Sequence, residues 1–300
     1  MAERVYAELP ARGVLEVAGE DRVAFLQGLV SNDVTKASAE RAIFAALLTA
    51  QGRYLFDFFI IARGDALYLE TEAARIDALR RRLSLYKLRS KIIIDDASAR
   101  FAVAAGFGAR AADALGLASE GVAKPFAGGT AFVDPRLAAL GLRFVLPREA
   151  GFAAIEQAGF ARVDAAQYDN HRLKLGVADG SRDLPTEKAL LLESGFDELN
   201  GIDWQKGCYM GQELTARTKY RALVKKRLLP IAIDGALPPP GTPILLGEAE
   251  AGEIRSGRGG RALALLRLDA IAEAAKGTPL LAGGARIKPE IPAWAKLPTG

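Results

Sequence analysis

The chain has 300 residues, with 40 Lys and Arg against 36 Asp and Glu, a formal net charge of +4, and half of its residues hydrophobic. This is the composition of a globular protein too long for one hydrophobic core, so two or three structural units are expected. No run approaches the roughly 18 consecutive apolar residues needed to cross a bilayer. With one Cys and one His it can form no internal disulfide, no ordinary zinc site and no iron–sulfur cluster of its own, because clusters usually take about four thiolates.

The chain opens MAERVYAELP, and Glu3 and Glu8 fit neither a secretory signal nor an acid-poor transit peptide, so a cytoplasmic chain is expected. Residues 14–17 read as a strand and residues 21–29 as a helix, with Val23, Leu26 and Val30 near helical spacing. Two strands follow at 42–49 and 54–61, joined by the turn Ala50-Gln51-Gly52-Arg53, and a short one at 67–70. A helix is expected over 73–88, its buried face marked by Ile76, Leu79 and Leu83 and its wet face by arginines. A strand returns at 91–95. The order repeats loosely, with strands at 101–105, 131–134 and 143–146 and helices at 110–117 and 149–158. Helices alternating with hairpin-connected strands argue for an α+β fold of ferredoxin-like type in two halves. From Leu223 onward the composition changes to short apolar runs set off by Gly and Pro, at 228–233, 242–246, 251–256, 262–267 and 285–289. These predict a small β-barrel or sandwich, so the expected domains are 1–222 and 223–300.

Two stretches are strongly basic. Residues 75–91 carry seven cations against Asp77, and residues 217–227 carry Arg217, Lys219, Arg221, Lys225, Lys226 and Arg227 with no acid. Such patches attract anions, whether an acidic partner, a polyanionic small molecule or nucleic acid, or they are solvated faces. They lack the interleaved aromatics of a single-strand binding surface, so direct nucleic-acid contact is not expected.

The chemistry concentrates in Lys206-Gly207-Cys208-Tyr209-Met210-Gly211-Gln212-Glu213-Leu214-Thr215-Ala216-Arg217. Glycines flank the lone cysteine ahead of a helix-like run. A thiol at a helix start beside a lysine is set up to ionise and be exposed. The alternative is a buried, inert cysteine serving as a small apolar residue.

This segment resembles the signature of the YgfZ branch of the GcvT-like family, which includes mitochondrial cluster-assembly members. FLQGLVSNDV at 25–34, LLTAQGRYLFDFFI at 47–60, LYKLRSKI, HRLKLGVADGSRDLP and KALLLESGFDELNGI match in order and spacing, covering most of residues 14–227. The resemblance implies two ferredoxin-like halves and a C-terminal β-barrel around a central cavity that holds tetrahydrofolate or a derivative. It implies folate contacts at Asn32, Asp57, Arg172, Lys206, Gln212 and Arg217, a functional thiol at Cys208, and no intrinsic metal. It also implies iron–sulfur assembly proteins or client enzymes as partners. Arg217 suits a glutamate tail, since arginine grips carboxylates in a bidentate fork.

Two departures separate the chain from the related aminomethyltransferase. Where that enzyme has an Asp-Asp-Leu-like run, this chain reads Phe56-Asp57-Phe58. Where it has Arg-Leu-Glu-Ala-Gly, this chain reads Arg172-Leu173-Lys174-Leu175-Gly176, and a lysine cannot accept hydrogen bonds from a pterin amide edge. A folate-using accessory role in cluster assembly or repair is therefore favoured over aminomethyl transfer. A link to tRNA modification, which the family's naming suggests, is the third reading. His171 reads as structural, since nothing in the sequence pairs it with Cys208.

Overall fold

A computed structural model describes residues 3–221 and 223–297. Two compact units emerge, neither continuous in sequence. The first takes the chain up to residue 49, then 55–168 and 199–210; the second takes 50–54, 169–198 and 211 onward.

The first unit is built on two sheets. Strands β1 (Arg4–Glu8), β2 (Arg12–Ala18), β3 (Ile43–Leu48), β4 (Tyr54–Arg63), β5 (Ala66–Glu72) and β6 (Ile93–Asp96) come first. They are followed by β7 (Phe101–Gly108), β8 (Ala123–Phe126), β9 (Gly129–Val133), β10 (Leu142–Pro147) and β11 (Ala161–Val163). A five-stranded sheet has the order β3-β4-β5-β2-β6 and a six-stranded sheet the order β11-β1-β7-β10-β9-β8. Helices α1 (Arg22–Gln27) and α2 (Ile76–Lys87) cover one face of the first sheet. Phe25 and Leu26 of α1 and Ile76, Leu79 and Leu83 of α2 share a core with Leu15, Val17, Phe56, Phe58 and Ile60. Helix α3 (Ala153–Gln157) contributes Ile155 to the core of the second sheet, with Tyr6, Val133 and Phe144.

Strand β4 is buried on both faces, which explains its nearly unbroken apolar run. Phe56, Phe58 and Ile60 point into the helix-covered core, so alternation sends Asp57 and Phe59 to the other face. There the Phe59 ring lies 5.7 Å from that of Phe132, with Arg136 and Arg143 guanidinium groups 4.9 and 5.1 Å from its centroid. Arg136 grips Asp134 through Nε at 3.0 Å and Nη2 at 2.8 Å. Burial pushes the Asp134 carboxyl up, but Arg136 and Arg143 more than offset it and hold it below its usual range.

The second unit holds a closed barrel of β12 (Lys226–Asp234), β13 (Pro243–Leu246), β14 (Ala249–Arg258), β15 (Arg261–Arg267), β16 (Leu280–Ala282) and β17 (Ala285–Pro289). Leu229, Ile231, Ile254 and Leu266 fill its interior. Closure removes the exposed strand edges that such short strands would otherwise present. The α+β body and C-terminal barrel expected from the sequence are thus what the chain forms.

Several elements differ from expectation. Residues 110–117 form only a 3-10 turn at Ala112–Leu115, and 149–158 shorten to α3 behind another 3-10 turn. Three helices lie in or lead into the second unit: α4 (Ala165–Leu175), α5 (Gln212–Tyr220) and α6 (Leu268–Ala275). Of these, the sequence pattern indicated only α5.

Candidate functional site

The segment 199–210 closes the first unit, and its anchors determine how Cys208 is displayed. Asn200 adopts φ +56°, a conformation asparagine tolerates better than most residues, and its Nδ2 donates to the Pro135 carbonyl at 3.0 Å. Buried Ser31 donates from Oγ to the Gly201 carbonyl at 2.6 Å and accepts the Ala46 amide at 2.8 Å. The Asp203 amide donates to the Ser31 carbonyl at 3.0 Å. Asp203 then turns the chain, its Oδ1 accepting the amides of Gln205 at 2.7 Å and Lys206 at 3.1 Å. Its other oxygen pairs with Lys36 at 2.5 Å.

Lys206 is 8% exposed. Its ammonium donates to the carbonyls of Gln27 at 2.9 Å, Val30 at 2.6 Å and Asn32 at 2.8 Å, which accounts for all three N–H groups. Gln27 is the last residue of α1, so the cation also meets the negative end of that helix. The Tyr209 ring centroid lies 5.2 Å from the ammonium. Burial pushes Lys206 down to about 8, against the opposing pull of Asp33 and Asp203. Two residues past Cys208 the chain is anchored again. The Met210 amide donates to the Gly28 carbonyl at 3.2 Å, and the Met210 side chain packs on the α1–α2 core. Between these anchors Gly207 and Cys208 are exposed.

Cys208 therefore lies on a short loop tied down at both ends. It does not sit in the first turn of a helix: α5 begins at Gln212 with Gly211 as its N-cap, three residues beyond Cys208. Helix-end effects fall off within that first turn.

The other expected residues divide between the units. In the first, Asn32 and Lys206 belong to one hydrogen-bonded assembly. Asn32 also donates from Nδ2 to the carbonyls of Phe44 at 2.7 Å and Asn200 at 2.8 Å, and its Oδ1 accepts the Asp33 amide at 2.8 Å. Its side chain thus serves the loop. A cavity of about 570 Å³ lies alongside, lined by Asn32, Phe44, Asn200, Trp204 and Gln205 among others. Asp57 is buried on β4 at 4% exposure, and its carbonyl accepts the Thr71 hydroxyl at 2.8 Å.

In the second unit Arg172, 3% exposed, projects from α4 into a set of protein partners. Nε donates to Asp169 at 2.8 Å, Nη1 to Asp183 at 2.5 Å and Nη2 to the Ser256 hydroxyl at 2.6 Å. These bonds tie α4 to the 179–183 turn and to β14. Gln212 opens α5, and exposed Arg217 pairs with Glu213 one turn earlier at 2.6 Å. Lys174 is exposed in the last turn of α4. Ser31, Asp203 and Trp204 carry no functional motif in the sequence. The Asp203-x-Gln205-Lys206 spacing of an Asx turn was the available signal.

Residues 225–297 match the family model described as the C-terminal beta-barrel domain of CAF17. The chain is 32% identical over 285 residues to the mouse mitochondrial iron–sulfur cluster assembly factor IBA57, covering 88% of this chain and 77% of that protein. The human protein of that name is 35% identical over 278 residues, with 86% and 76% covered. A homolog of that factor in the fungus Mycosarcoma maydis is 34% identical over 247 residues, and the aligned part spans 58% of its length. Among solved structures, the glycine cleavage system aminomethyltransferase T of Bartonella henselae superposes with a TM-score of 0.77 at 15% identity, covering 98% of this chain and 87% of that one. At that identity the superposition establishes a shared fold.

Proposed function

This chain belongs to the IBA57 family of iron–sulfur cluster assembly factors, and from that premise we propose that it acts through Cys208, which supplies one thiolate in trans to a cluster. The remaining ligands come from a partner assembly protein, a client enzyme or an external thiol, because one cysteine provides a single thiolate where a cluster usually takes about four. The observation that carries this reading is the exposed Cys208 on a loop fixed by Lys206 before it and Met210 after it. A fixed, exposed thiol can enter a shared coordination sphere without first ordering its own backbone.

The small-molecule ligand we assign is a tetrahydrofolate-type compound, on the motif resemblance together with Asp57, a buried carboxylate in the segment 47–60. Asn32, Lys206 and Arg172 are assigned to positioning, since their polar groups are taken up by the protein itself.

The deciding experiment is complementation of a strain lacking the protein, scored by a cluster-dependent enzyme. Cys208→Ala and Cys208→Ser should fold normally and fail to rescue. Full rescue by Cys208→Ala would remove the thiol from the mechanism.

A further inference from the structure

A second cavity, of about 620 Å³, lies wholly within the second unit and has no part in the Cys208 loop. Its size is in the range of small-molecule sites, and its lining has two characters. Leu190 and the barrel residues Leu228 and Leu265 give an apolar floor. Around them stand Lys188, Lys226, Arg255 and Glu193, with Arg53, Asp183 and Glu253 completing the charged lining.

The cations are not all neutralised from within. Asp183 is saturated by Arg172 and Ser256. Glu253 pairs with Nη1 of Arg255, whose Nε is fully buried and has no hydrogen-bond partner among the described residues. Lys188 and Lys226 form no ion pair among the described residues.

We propose that this cavity binds a small organic carboxylate with an apolar body, the carboxylate held by Lys226 and Arg255 and the body resting on Leu190, Leu228 and Leu265. Glu193 makes the binding proton-coupled. It has no hydrogen-bond partner among the described residues, and burial raises its pKa against the pull of Lys226 and Arg53. An anion arriving beside Glu193 favours its protonated form, so binding takes up a proton and affinity rises as pH falls.

The test uses the full-length protein labelled with 15N and titrated with phenylacetate, with phenylacetamide and inorganic phosphate as controls. Saturable amide shifts are expected at residues 189–194 and 226–228, with phenylacetate bound about tenfold more tightly than either control and about tenfold more weakly by Lys226→Met. Affinity should be higher at lower pH in the wild type and independent of pH in Glu193→Gln, a near-isosteric change that keeps the fold. Four results would each overturn the proposal: no shifts up to about 20 mM, equal binding of phenylacetamide, equal binding of phosphate, or an unchanged affinity in Lys226→Met. Tetrahydrofolate titrated separately keeps the two ligand assignments distinguishable, since either can bind while the other does not.

Discussion

The ammonium of Lys206 donates a 2.8 Å hydrogen bond to the main-chain carbonyl of Asn32, joining the cysteine loop to the chain just past α1. The carbonyls of Gln27 and Val30 complete its coordination. Replacing Lys206 by Met keeps the stem's packing and leaves three carbonyls without their donor. A loss of about 2–4 kcal/mol is expected, since each charge-assisted bond contributes about 1.5–3 kcal/mol and the site relaxes in part. Urea unfolding of Lys206→Met checks this; a loss within error of zero would show that the clamp contributes nothing.

The same lysine gives a pH signature. Its folded pKa of about 8 lies below the ordinary 10.5, so between these values the unfolded chain binds more protons. Stability contributed by this group therefore increases as pH rises through that window, and the cost of holding the charge is fully present below it. The wild type should gain on Lys206→Met by up to about 3 kcal/mol, less for the water that reaches the site. Paired unfolding curves at pH 7.5 and pH 10 measure the difference, and a gap that narrows with pH would contradict the sign.

Cys208 should react with iodoacetamide in the native protein at a rate close to that of the unfolded chain, because the residue is exposed. Cys208→Ala should change stability by no more than about 0.5 kcal/mol, as exposed substitutions generally do. Mass spectrometry of the alkylated native protein and a melting curve of the variant check both. Reaction only after adding denaturant would place the thiol in the interior.

Arg172 should behave as a structural residue. Removing it takes the counter-ion from Asp183, which is 1% exposed and keeps only the neutral donors of Asp179 and Ser256, so Arg172→Ala is expected to cost about 3–5 kcal/mol. The double variant Arg172→Met, Asp183→Asn should recover part of that loss. Equilibrium unfolding decides; a stable Arg172→Ala that has lost only ligand affinity would return this arginine to ligand binding.

Asp57 is the residue we assign to the folate-type ligand. Calorimetry with tetrahydrofolate should show binding that Asp57→Asn weakens by about tenfold or more, the loss of one charge-assisted hydrogen bond. Asp65→Ala serves as the control, since that carboxylate is fully exposed and its one ion pair among the described residues is with Arg22, at 4.0 Å. Absence of binding at millimolar tetrahydrofolate, or equal loss in both variants, would end the folate reading.

What could be read in the sequence followed from apolar patterning. Ile76, Leu79 and Leu83 mark α2 because its buried stripe is apolar, and 54–61 reads as a strand because a short, nearly unbroken apolar run follows a glycine-containing turn. Helix α4 escaped because its buried residues include Asp169 and Arg172 beside Tyr168 and Leu173, so no apolar stripe exists. Helix α6, with Ala270 and Ile271 buried, is short and set among barrel strands of similar composition. At the site, glycine and polar neighbours pointed to an exposed Cys208. The role of Lys206 did not show, because its acceptors are main-chain carbonyls, which leave no trace in residue identity.

The clamp under Cys208 joins residues 174 to 179 positions apart. Contacts of such long range form slowly, because the intervening chain must be drawn in before they repay its entropy. During synthesis the first unit cannot close until residue 210 has left the ribosome, and by then the stretches 50–54 and 169–198 have already emerged for the other unit. The thiol thus reaches its fixed display only once most of the chain exists. A fragment truncated before Lys206 lacks both the cysteine and the ammonium that caps α1, so it has neither the thiol nor the clamp that would display it.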